Sequence, residues 1–321
     1  MADISIKIIG ILSIGEMGLG IGQLLISHGY VVGTFAEDRS EATRERARSA
    51  RIQLHRSMPE FVEKCDVILS IVPPRDAFAT AKRVYDACAE ATGSRKQPLY
   101  YVDLNAVSPS LASTIDDLFQ SNHNTLFVDG GIIGGVPFPK DDGKSDDTGE
   151  PTWHCPSLIV SGPAELPSPM LCRVLNVTHL RRPIGAAACL KMCYASLTKG
   201  FFALAIQSFV TADMMGILPE LRETMQKYNP ATLTMAEKGI VTMPPKAYRW
   251  VREMQEIGTT FNENGGFEKK LFEGVSEVYR IVAEDTELGM EQPGRRVRGK
   301  TVEDAIVLIR DGMKAKRTGK D

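Results

Sequence analysis

The sequence predicts an α/β domain built on a doubly wound parallel sheet, followed by a domain that is all helical. Three observations support this prediction. An apolar, β-branched strand at 4–14 runs directly into a glycine-rich turn and a helix. Short apolar strands then alternate with helical segments, an order that builds right-handed βαβ units and a parallel sheet. After Arg182-Pro183 the strand patterns end, so we divide the chain into domains at 1–184 and 185–321.

The first domain begins with a buried strand, because the run ISIKIIGILSI is short and rich in β-branched residues. A helix follows and ends at Gly29. Later strands are assigned from apolar runs, and later helices from helical spacing after a polar or proline start. The predicted strands are 30–35, 65–73, 98–104, 125–132, 157–162 and 177–180, and the predicted helices are 40–50, 75–91 and 109–120. The stretch 136–156 is predicted to be a long exposed loop.

The second domain is predicted to be helical throughout. The run 186–215 is apolar nearly all round, which is typical of a helix buried between other helices. Within it Gln207 and Asp213 are polar, so we interpret the run as a core helix and not as a membrane span. Prolines and a glycine pair separate the helices that follow, at 219, 230, 244–245 and 265–266.

The composition favours a globular protein that acts on a small molecule. Of the 321 residues 43% are hydrophobic and 24% charged, and the formal net charge of −2 argues against nucleic-acid or anionic-membrane partners. Six cysteines without a CxxC motif indicate free thiols in a reducing compartment. Residues 1–15 lack the pattern of a secretory signal. We therefore expect a cytoplasmic location.

The turn after the first strand carries a variant of the dinucleotide fingerprint. Residues 13–18 read SxGxxG, where GxGxxG is the usual form. The second glycine of the pattern lets the backbone approach a pyrophosphate, and the third allows close packing of helix and strand. This predicts a Rossmann cofactor site, with a ligand-free glycine turn as the alternative. The predicted cofactor contacts in the turn are Ser13, Gly15, Glu16, Met17 and Gly18.

The end of the second strand determines which cofactor is preferred. An acidic residue there holds the ribose 2′-hydroxyl of NAD, whereas an arginine suits the 2′-phosphate of NADP. The sequence has both, as Glu37-Asp38-Arg39-Ser40. We expect NADP, with contacts from Arg39 and Ser40, while NAD is the alternative. The two acids then serve as favourable charges at a helix start.

Five stretches resemble the β-hydroxyacid dehydrogenase superfamily, which includes 6-phosphogluconate dehydrogenase and 3-hydroxyisobutyrate dehydrogenase. More closely, the chain resembles a 6-phosphogluconate-dehydrogenase-like subgroup with a C-terminal domain of unknown function. The stretches, in chain order, are GEMG at 15–18, SIVPP at 70–74, DLNAVSP at 103–109, VDGGIIGG at 128–135 and GAAACLKMCYASLTKG at 185–200.

The resemblance implies roles for residues in each stretch. SIVPP and DLNAVSP would line the nicotinamide, through Val72, Pro73 and Asn105. The glycine-rich stretch would bind substrate, and the last stretch would carry the catalytic lysine. The family also implies a homodimer with interlocked helical domains. The implied substrate contacts are Ile133, Gly134 and Gly135.

Two departures from the family pattern remove polar substrate contacts. Ile133 replaces the usual serine, and Ala195 stands where the family has an asparagine one turn after the lysine. The 6-phosphogluconate reaction is therefore not expected. The resemblance implies a reaction type, and the substrate stays open.

Lys191 is the candidate general acid/base. Its neighbours in the sequence are apolar, and an apolar setting disfavours the ammonium form, which suits a group that exchanges a proton near neutrality. A lysine that extends to solvent from the helix edge is the alternative. With about 3.6 residues per turn, Tyr194 and Thr198 follow on the same side of the helix. We expect Tyr194 to assume part of the missing asparagine's role and Thr198 to contact substrate, although a core tyrosine would fit the same pattern.

The leading functional hypothesis is an NADP-dependent oxidoreductase that acts on a small 3-hydroxy acid or its carbonyl counterpart. Imine or enamine reduction on the same scaffold is the second hypothesis, and a non-catalytic NADP-binding regulatory protein is the third. His154 and Cys155 adjoin in the loop and His123 stands alone. This spacing does not match a metal site, so we expect no metal.

Overall fold

The computed structural model of the chain describes residues 6–91, 95, 97–121, 124–140, 152–291 and 295–318, without the side chains of 317–318. The chain divides into two compact units, residues 1–191 and 192–321. This division falls inside one helix, seven residues beyond the boundary that the sequence suggested. His123 and the middle of the predicted loop, residues 141–151, lie outside the described residues.

The first unit is built on an eight-stranded sheet. Its strands are β1 (Ile8–Leu12), β2 (Val31–Phe35), β3 (Gln53–His55), β4 (Val67–Ser70), β5 (Leu99–Asp103), β6 (Thr125–Ile133), β9 (Ser157–Ser161) and β10 (Val177–His179). They lie in the order β10-β9-β6-β5-β4-β1-β2-β3. Two short strands, β7 (Phe138–Pro139) and β8 (Trp153–His154), pair with each other at the two ends of the predicted loop.

Helices connect the parallel strands, as the alternation of patterns predicted. They are α1 (Glu16–Ser27), α2 (Glu41–Ser49), α3 (Met58–Lys64), α4 (Ala77–Glu90), α5 (Pro109–Gln120), α6 (Pro169–Val174) and α7 (Ala186–Ala195). The sequence interpretation missed β3, α3 and α6. Each of these elements is seven residues long or less, so its apolar pattern is too short to distinguish it from a loop.

Both faces of the sheet are buried, which confirms the doubly wound prediction. On β5, for example, Tyr100 and Val102 belong to one apolar cluster, and Leu99 and Tyr101 belong to the other. Alternate residues of a strand point to opposite faces. Helices therefore cover the sheet on both sides, and the site must lie at an edge of the sheet rather than on a face.

The sheet departs from the parallel prediction at one place. β6 pairs with β9 in antiparallel register, from Asp129 opposite Ser161 to Ile133 opposite Ser157. An antiparallel neighbour needs no crossover helix, and the excursion through β7 and β8 returns the chain beside β6 in the opposite direction. β10 then pairs parallel with β9.

The described part of the second unit contains helices and no strand. Beyond the end of α7 its main helices are α8 (Phe201–Met214), α9 (Leu218–Tyr228), α10 (Pro230–Thr242), α11 (Ala247–Gly265), α12 (Lys270–Glu284) and α13 (Val302–Thr318). α11 ends at Gly266, which has a left-handed backbone, and the chain turns back there into α12. The rings of Trp250 and Tyr279 meet edge to face at 5.2 Å in the core of this unit.

A π-helical turn at Ser196–Gly200 joins α7 to α8 and makes one helical run of 29 residues, Ala186–Met214. By length and composition this run is apolar enough to cross a membrane, and it is the one such helix among the described residues. A core helix of a globular protein passes the same test, so the finding is weak evidence for a membrane span.

Candidate cofactor and active site

The turn between β1 and α1 has the shape of a phosphate-binding loop. Ser13 has φ +79°, the left-handed conformation in which a glycine is usual. Gly15 is the N-cap of α1 and supplies no side-chain cap, so no side chain covers the first N–H groups of the helix. An uncapped helix N-terminus at the carboxyl edge of a sheet attracts an anion.

Gly18 and Gly15 are required in the turn for different physical reasons. A Cβ on Gly18 would collide with the Ser13 carbonyl oxygen and lie 3.3 Å from Ile11 Cγ2. A Cβ on Gly15 would meet only Ser13 Oγ, at 3.9 Å. Gly18 therefore permits the helix to pack on the turn, whereas Gly15 leaves open space above it. This is the division of roles that the fingerprint predicts.

A cavity of about 110 Å³ opens beside this turn, at the ends of β1 and β2. Arg39 and Thr43 line it, whereas Ser40 does not. Ser40 instead caps α2, where its hydroxyl accepts the Thr43 N–H at 3.4 Å. The lining residues are Ser13, Ile14, Thr34, Phe35, Ala36, Arg39 and Thr43.

Arginines offset the acidic charge next to this cavity. Asp38 pairs with Arg83 at 2.9 Å and with Arg39 at 3.4 Å. Arg46 of α2 donates to the Ile14 carbonyl at 2.9 Å, within the turn itself. Arg46 and Arg83 were not predicted from the sequence, because they lie on α2 and α4 and reach Ile14 and Asp38 only through the fold. Two guanidinium groups thus engage the Asp38 carboxylate and a third binds the turn, so positive charge lies close to the cavity and favours an anion there.

Asn105 ties the ends of β4 and β5 together. Its Oδ1 accepts the Val72 N–H at 2.7 Å, its Nδ2 donates to Ser70 Oγ at 3.0 Å, and its own N–H donates to Asp103 Oδ1 at 2.8 Å. The side chain is buried. Asn105 therefore fixes the backbone of Val72 through a buried hydrogen bond. Pro73 follows Val72 and precedes the 3-10 turn at Pro74–Asp76, which leads into α4.

Lys191 lies on α7 against the end of β6. Its half-buried side chain donates from Nζ to the Ile132 carbonyl oxygen. A Cβ on Gly131 would come within 2.9 Å of Lys191 Cβ, so the glycine permits the close approach of strand and helix. The amine is thereby placed at the carboxyl end of β6, where Ile133, Gly134 and Gly135 follow Ile132 in the chain.

The predicted substrate glycines form an open turn. Gly134 has φ +125°, which only glycine adopts readily, and a Cβ there would lie 3.1 Å from Pro156 Cα. A Cβ on Gly135 would meet nothing within 4 Å. Both glycines are exposed and Ile133 is half-buried. The backbone N–H groups of this turn are thus accessible to a small ligand.

Tyr194 and Thr198 belong to the second unit. Tyr194 is 47% exposed. The Thr198 hydroxyl points back along its own helix, towards the carbonyl oxygens of Tyr194 and Ala195 at 3.3 Å each. Because the π-helical turn at Ser196–Gly200 widens the helix, the regular α-helical spacing that placed Thr198 in line with Lys191 is not maintained there.

Lys199 contacts core residues of the second unit. Its ammonium pairs with the buried Glu253 and lies 4.9 Å from the centre of the Trp250 ring. Tyr279 donates its hydroxyl hydrogen to the Lys199 carbonyl oxygen. These contacts stabilise the π-helical turn from the core side, because they hold both the side chain and the backbone of Lys199.

Two buried carboxyl groups lie opposite each other on the neighbouring strands β5 and β6 and were not identified from the sequence. Asp103 ends β5, and Asp129 is its partner in the parallel register on β6. Burial raises the pKa of Asp103 to about 7 and also raises the pKa of Asp129, although four hydrogen bonds oppose the latter shift.

Among the described residues no three His, Cys, Asp or Glu side chains are grouped as metal ligands. The His154 ring packs against the Phe138 ring, with the two ring centres 4.7 Å apart.

Comparisons with known proteins bear on both units. A family model described as the NAD binding domain of 6-phosphogluconate dehydrogenase matches residues 8–141. A second, described as a domain of unknown function (DUF1932), matches residues 212–282. An uncharacterised 28.5 kDa protein of Methanothermus fervidus is 26% identical over 219 residues, which cover 68% of this chain and 76% of that protein.

Solved structures share the fold over most of the chain. A conserved hypothetical protein of Sinorhizobium meliloti is 17% identical with a TM-score of 0.61, covering 97% of this chain and 98% of that one. The 3-hydroxyisobutyrate dehydrogenase of Mycobacterium tuberculosis is 18% identical with a TM-score of 0.62, covering 88% and 95%. The two family matches agree with the resemblance found in the sequence: an NAD binding domain of the 6-phosphogluconate dehydrogenase type is followed by a DUF1932 domain.

Proposed function

We propose that the protein is an NADP-dependent oxidoreductase that transfers hydride to or from a small 3-hydroxy acid or its carbonyl counterpart. The observation that carries the proposal is the position of Lys191, whose amine lies at the carboxyl end of β6 beside an open glycine turn. The uncapped start of α1 lies at the same edge of the same sheet. Open α/β sheets bind ligands at this edge.

The turn at 13–18 would hold the pyrophosphate, and Val72, supported by Asn105, would line the nicotinamide. When bound, the cofactor supplies or accepts the hydride. Arg39 faces the cavity at the end of β2, and Asp38 is engaged by two arginines. An engaged carboxylate beside a guanidinium suits a phosphate better than a hydroxyl, which supports NADP over NAD.

Lys191 would exchange the proton that accompanies hydride transfer. When a carbon linked to oxygen loses or gains hydride, a proton leaves or joins that oxygen, and an amine at the site can accept or return it. The Ile132 carbonyl orients the amine. Tyr194, one turn further along the helix, is proposed to orient the substrate or relay the proton, and Thr198 remains a proposed contact.

The glycine turn would bind the other end of the substrate. The exposed backbone of Gly134 and Gly135 offers N–H donors for a carboxylate or carbonyl oxygen. Ile133 adds an apolar surface where a serine is usual in the family. A small substrate with one acidic end and a short apolar body fits this arrangement.

Imine or enamine reduction is the second candidate. Ile133 and Ala195 replace two polar groups that the family uses around the substrate hydroxyl. A site with fewer hydroxyl contacts discriminates less against a C=N substrate. A regulatory protein that binds NADP without turnover is the third candidate, but it has no need of an amine held at the sheet edge.

We further propose that the protein is a cytoplasmic homodimer formed through the second unit. Its six cysteines are free thiols, which suits a reducing compartment. Several large apolar side chains of the second unit are exposed, among them Leu197, Leu204, Met215 and Ile217. An apolar cavity of about 360 Å³ adjoins α8, α12 and α13. Exposed apolar surface of this extent is typical of a protein interface.

Replacing each of the two glycines of the cofactor turn by alanine should affect a different quantity: NADPH affinity for Gly15 and stability for Gly18. Gly15→Ala adds a methyl group to open space, so thermal unfolding should stay unchanged while the Kd for NADPH rises by about tenfold or more. Gly18→Ala forces a collision with the turn and should lower the free energy of unfolding by about 1–3 kcal/mol. Calorimetry and fluorescence titration measure both quantities. Parental NADPH affinity in Gly15→Ala would contradict the proposed position of the pyrophosphate.

Arg39 should discriminate between the two cofactors. Arg39→Ala is expected to raise the Kd for NADPH by about tenfold to a hundredfold, since it removes a charge-assisted hydrogen bond, and to leave the Kd for NADH within about twofold. Arg48→Ala is the control, because Arg48 is exposed on α2, the helix that follows Arg39, and pairs with Glu41. Equal losses for both cofactors, or a loss in the control, would argue against the assignment.

Lys191 should be required for turnover and not for cofactor binding. Lys191→Met keeps the stem that packs on Gly131, and turnover should fall by about 10²–10⁴ with NADPH affinity unchanged. A screen of carbonyls and imines with NADPH identifies the substrate class first. Lys82→Met, an exposed change on α4, serves as control. Parental turnover in Lys191→Met would exclude the catalytic role.

The dimer predicts a solution mass of twice 35.2 kDa. Light scattering at micromolar concentration measures it directly. Leu204→Glu places a charge on the exposed apolar surface of α8 and should shift the mass to that of the monomer. Glu220→Gln, an exposed change on α9, should leave the mass unaltered. A monomeric parent would refute the homodimer.

A further inference from the structure

The buried carboxyl group of Asp129 holds the start of α7. Its Oδ2 accepts hydrogen bonds from Ser161 Oγ at 2.6 Å and from the backbone N–H groups of Gly185 at 2.9 Å and Ala187 at 3.1 Å. The N–H of Ala188 adds a fourth contact at 3.4 Å. Only 1% of the Asp129 residue surface is exposed.

This contact replaces a local helix cap. The first N–H groups of a helix have no partner within it, and a nearby Ser, Thr, Asp or Asn usually accepts them. Here the residue before α7 is Gly185, which has no side chain, and its φ of +92° and packing against Pro109 explain the glycine. The acceptors come instead from two strands: Asp129 lies 58 residues before Ala187, and Ser161 Oγ also accepts the Ala187 N–H, at 2.9 Å. A carboxylate in this position also interacts favourably with the helix dipole.

The same strand and helix meet again at Lys191. Asp129 holds the first turn of α7, Gly131 lies against the Lys191 stem, and the Ile132 carbonyl accepts from the Lys191 amine. These three contacts involve positions 129, 131 and 132 of β6 and the first two turns of α7. If the first contact is lost, the helix can slide or rotate on the strand, and the amine leaves the Ile132 carbonyl.

A neighbouring carboxyl group supports this arrangement. Asp103 accepts from the Asn105 N–H through Oδ1, while Asp103 Oδ2 and Asp129 Oδ1 have no hydrogen-bond partner among the described residues. Burial raises the pKa of Asp103 to about 7, so Asp103 carries a proton below that pH and does not repel Asp129. The four hydrogen bonds that Asp129 accepts favour its charged form and oppose the rise of its pKa that burial causes.

We propose that Asp129 is the positioning residue for Lys191: by capping α7 from β6 it fixes the amine at the substrate end of the sheet. This inference rests on the proposed function of Lys191. The geometry itself, in which a carboxyl group of β6 caps α7 and a lysine of α7 donates to the same strand, can be tested without turnover.

The test compares Asp129→Asn with Asp103→Asn in the full-length protein. Asp129→Asn removes the charge from the helix start with little change of shape, whereas the amide in Asp103→Asn imitates the protonated acid and can donate towards Asp129. Amine labelling of Lys191 by an acylating reagent, followed by peptide mass spectrometry, reports whether the amine stays at Ile132. Hydrogen exchange of the peptide that begins α7 reports whether the helix start is held.

In Asp129→Asn, labelling of Lys191 should become about fivefold faster or more while Lys82 labels at the parental rate, because a released amine is solvated. Turnover should fall by about tenfold to a hundredfold with the Kd for NADPH within about twofold. Asp103→Asn should keep parental labelling. Ser161→Ala removes one partner of Asp129 and provides a milder variant with smaller changes in the same direction, in case Asp129→Asn does not fold.

Parental labelling of Lys191 in a folded Asp129→Asn protein would overturn the inference, whatever happens to turnover. Equal acceleration in Asp103→Asn would overturn it too, since the effect would then reflect general loosening of the buried pair. If the proposed function is wrong, Lys191→Met will instead show parental turnover. In that case the labelling rate still reports whether Asp129 holds the start of α7.

Discussion

The first N–H groups of a helix must find partners, and the site depends on how two helices meet this requirement at one edge of the sheet. α7 begins against the Asp129 carboxylate, which accepts from Gly185 and Ala187. α1 begins at Gly15 with no side-chain cap. One helix start is thus satisfied by a carboxyl group that the chain itself provides, and the other is open to the phosphates of the proposed cofactor. The capped helix carries the amine and the uncapped helix would receive the cofactor, so the same electrostatic preference would serve both halves of the proposed reaction.

Close backbone approach is the second constraint, and glycines provide it where elements must touch. Gly18 allows α1 to pack on the Ser13 carbonyl, and Gly131 allows α7 to pack on β6. At both positions a methyl group would separate a helix from the strand end that aligns it. The open glycines, Gly15 and Gly135, face space in which a Cβ would meet little. The chain therefore uses the same residue type for packing and for ligand access, and only the surroundings distinguish the two uses.

Most strands and long helices followed from local pattern, because β4 and β5 are buried along their whole length and the helices between them repeat apolar residues at helical spacing. The short β3, α3 and α6 were missed, since three to seven residues carry too little periodicity. The antiparallel pairing of β9 was also missed: an apolar run such as SLIVS predicts a strand but not its direction. The π-helical turn at Ser196–Gly200 depends on contacts of Lys199 with Glu253 and Tyr279, which come from distant segments.

The sequence alone determined the α/β order followed by helices, the cofactor turn at 13–18 and the candidate lysine, because each of these depends on residues close together in the chain. Tertiary structure decided what surrounds them. It brought Arg46 to the Ile14 carbonyl from 32 residues away, showed that Ser40 caps a helix while Thr43 lines the cavity, and placed Asp129 on the helix of Lys191 across 58 residues. Such partners leave no local pattern, because a hydrogen bond between strands and helices constrains positions in space and not spacing along the chain.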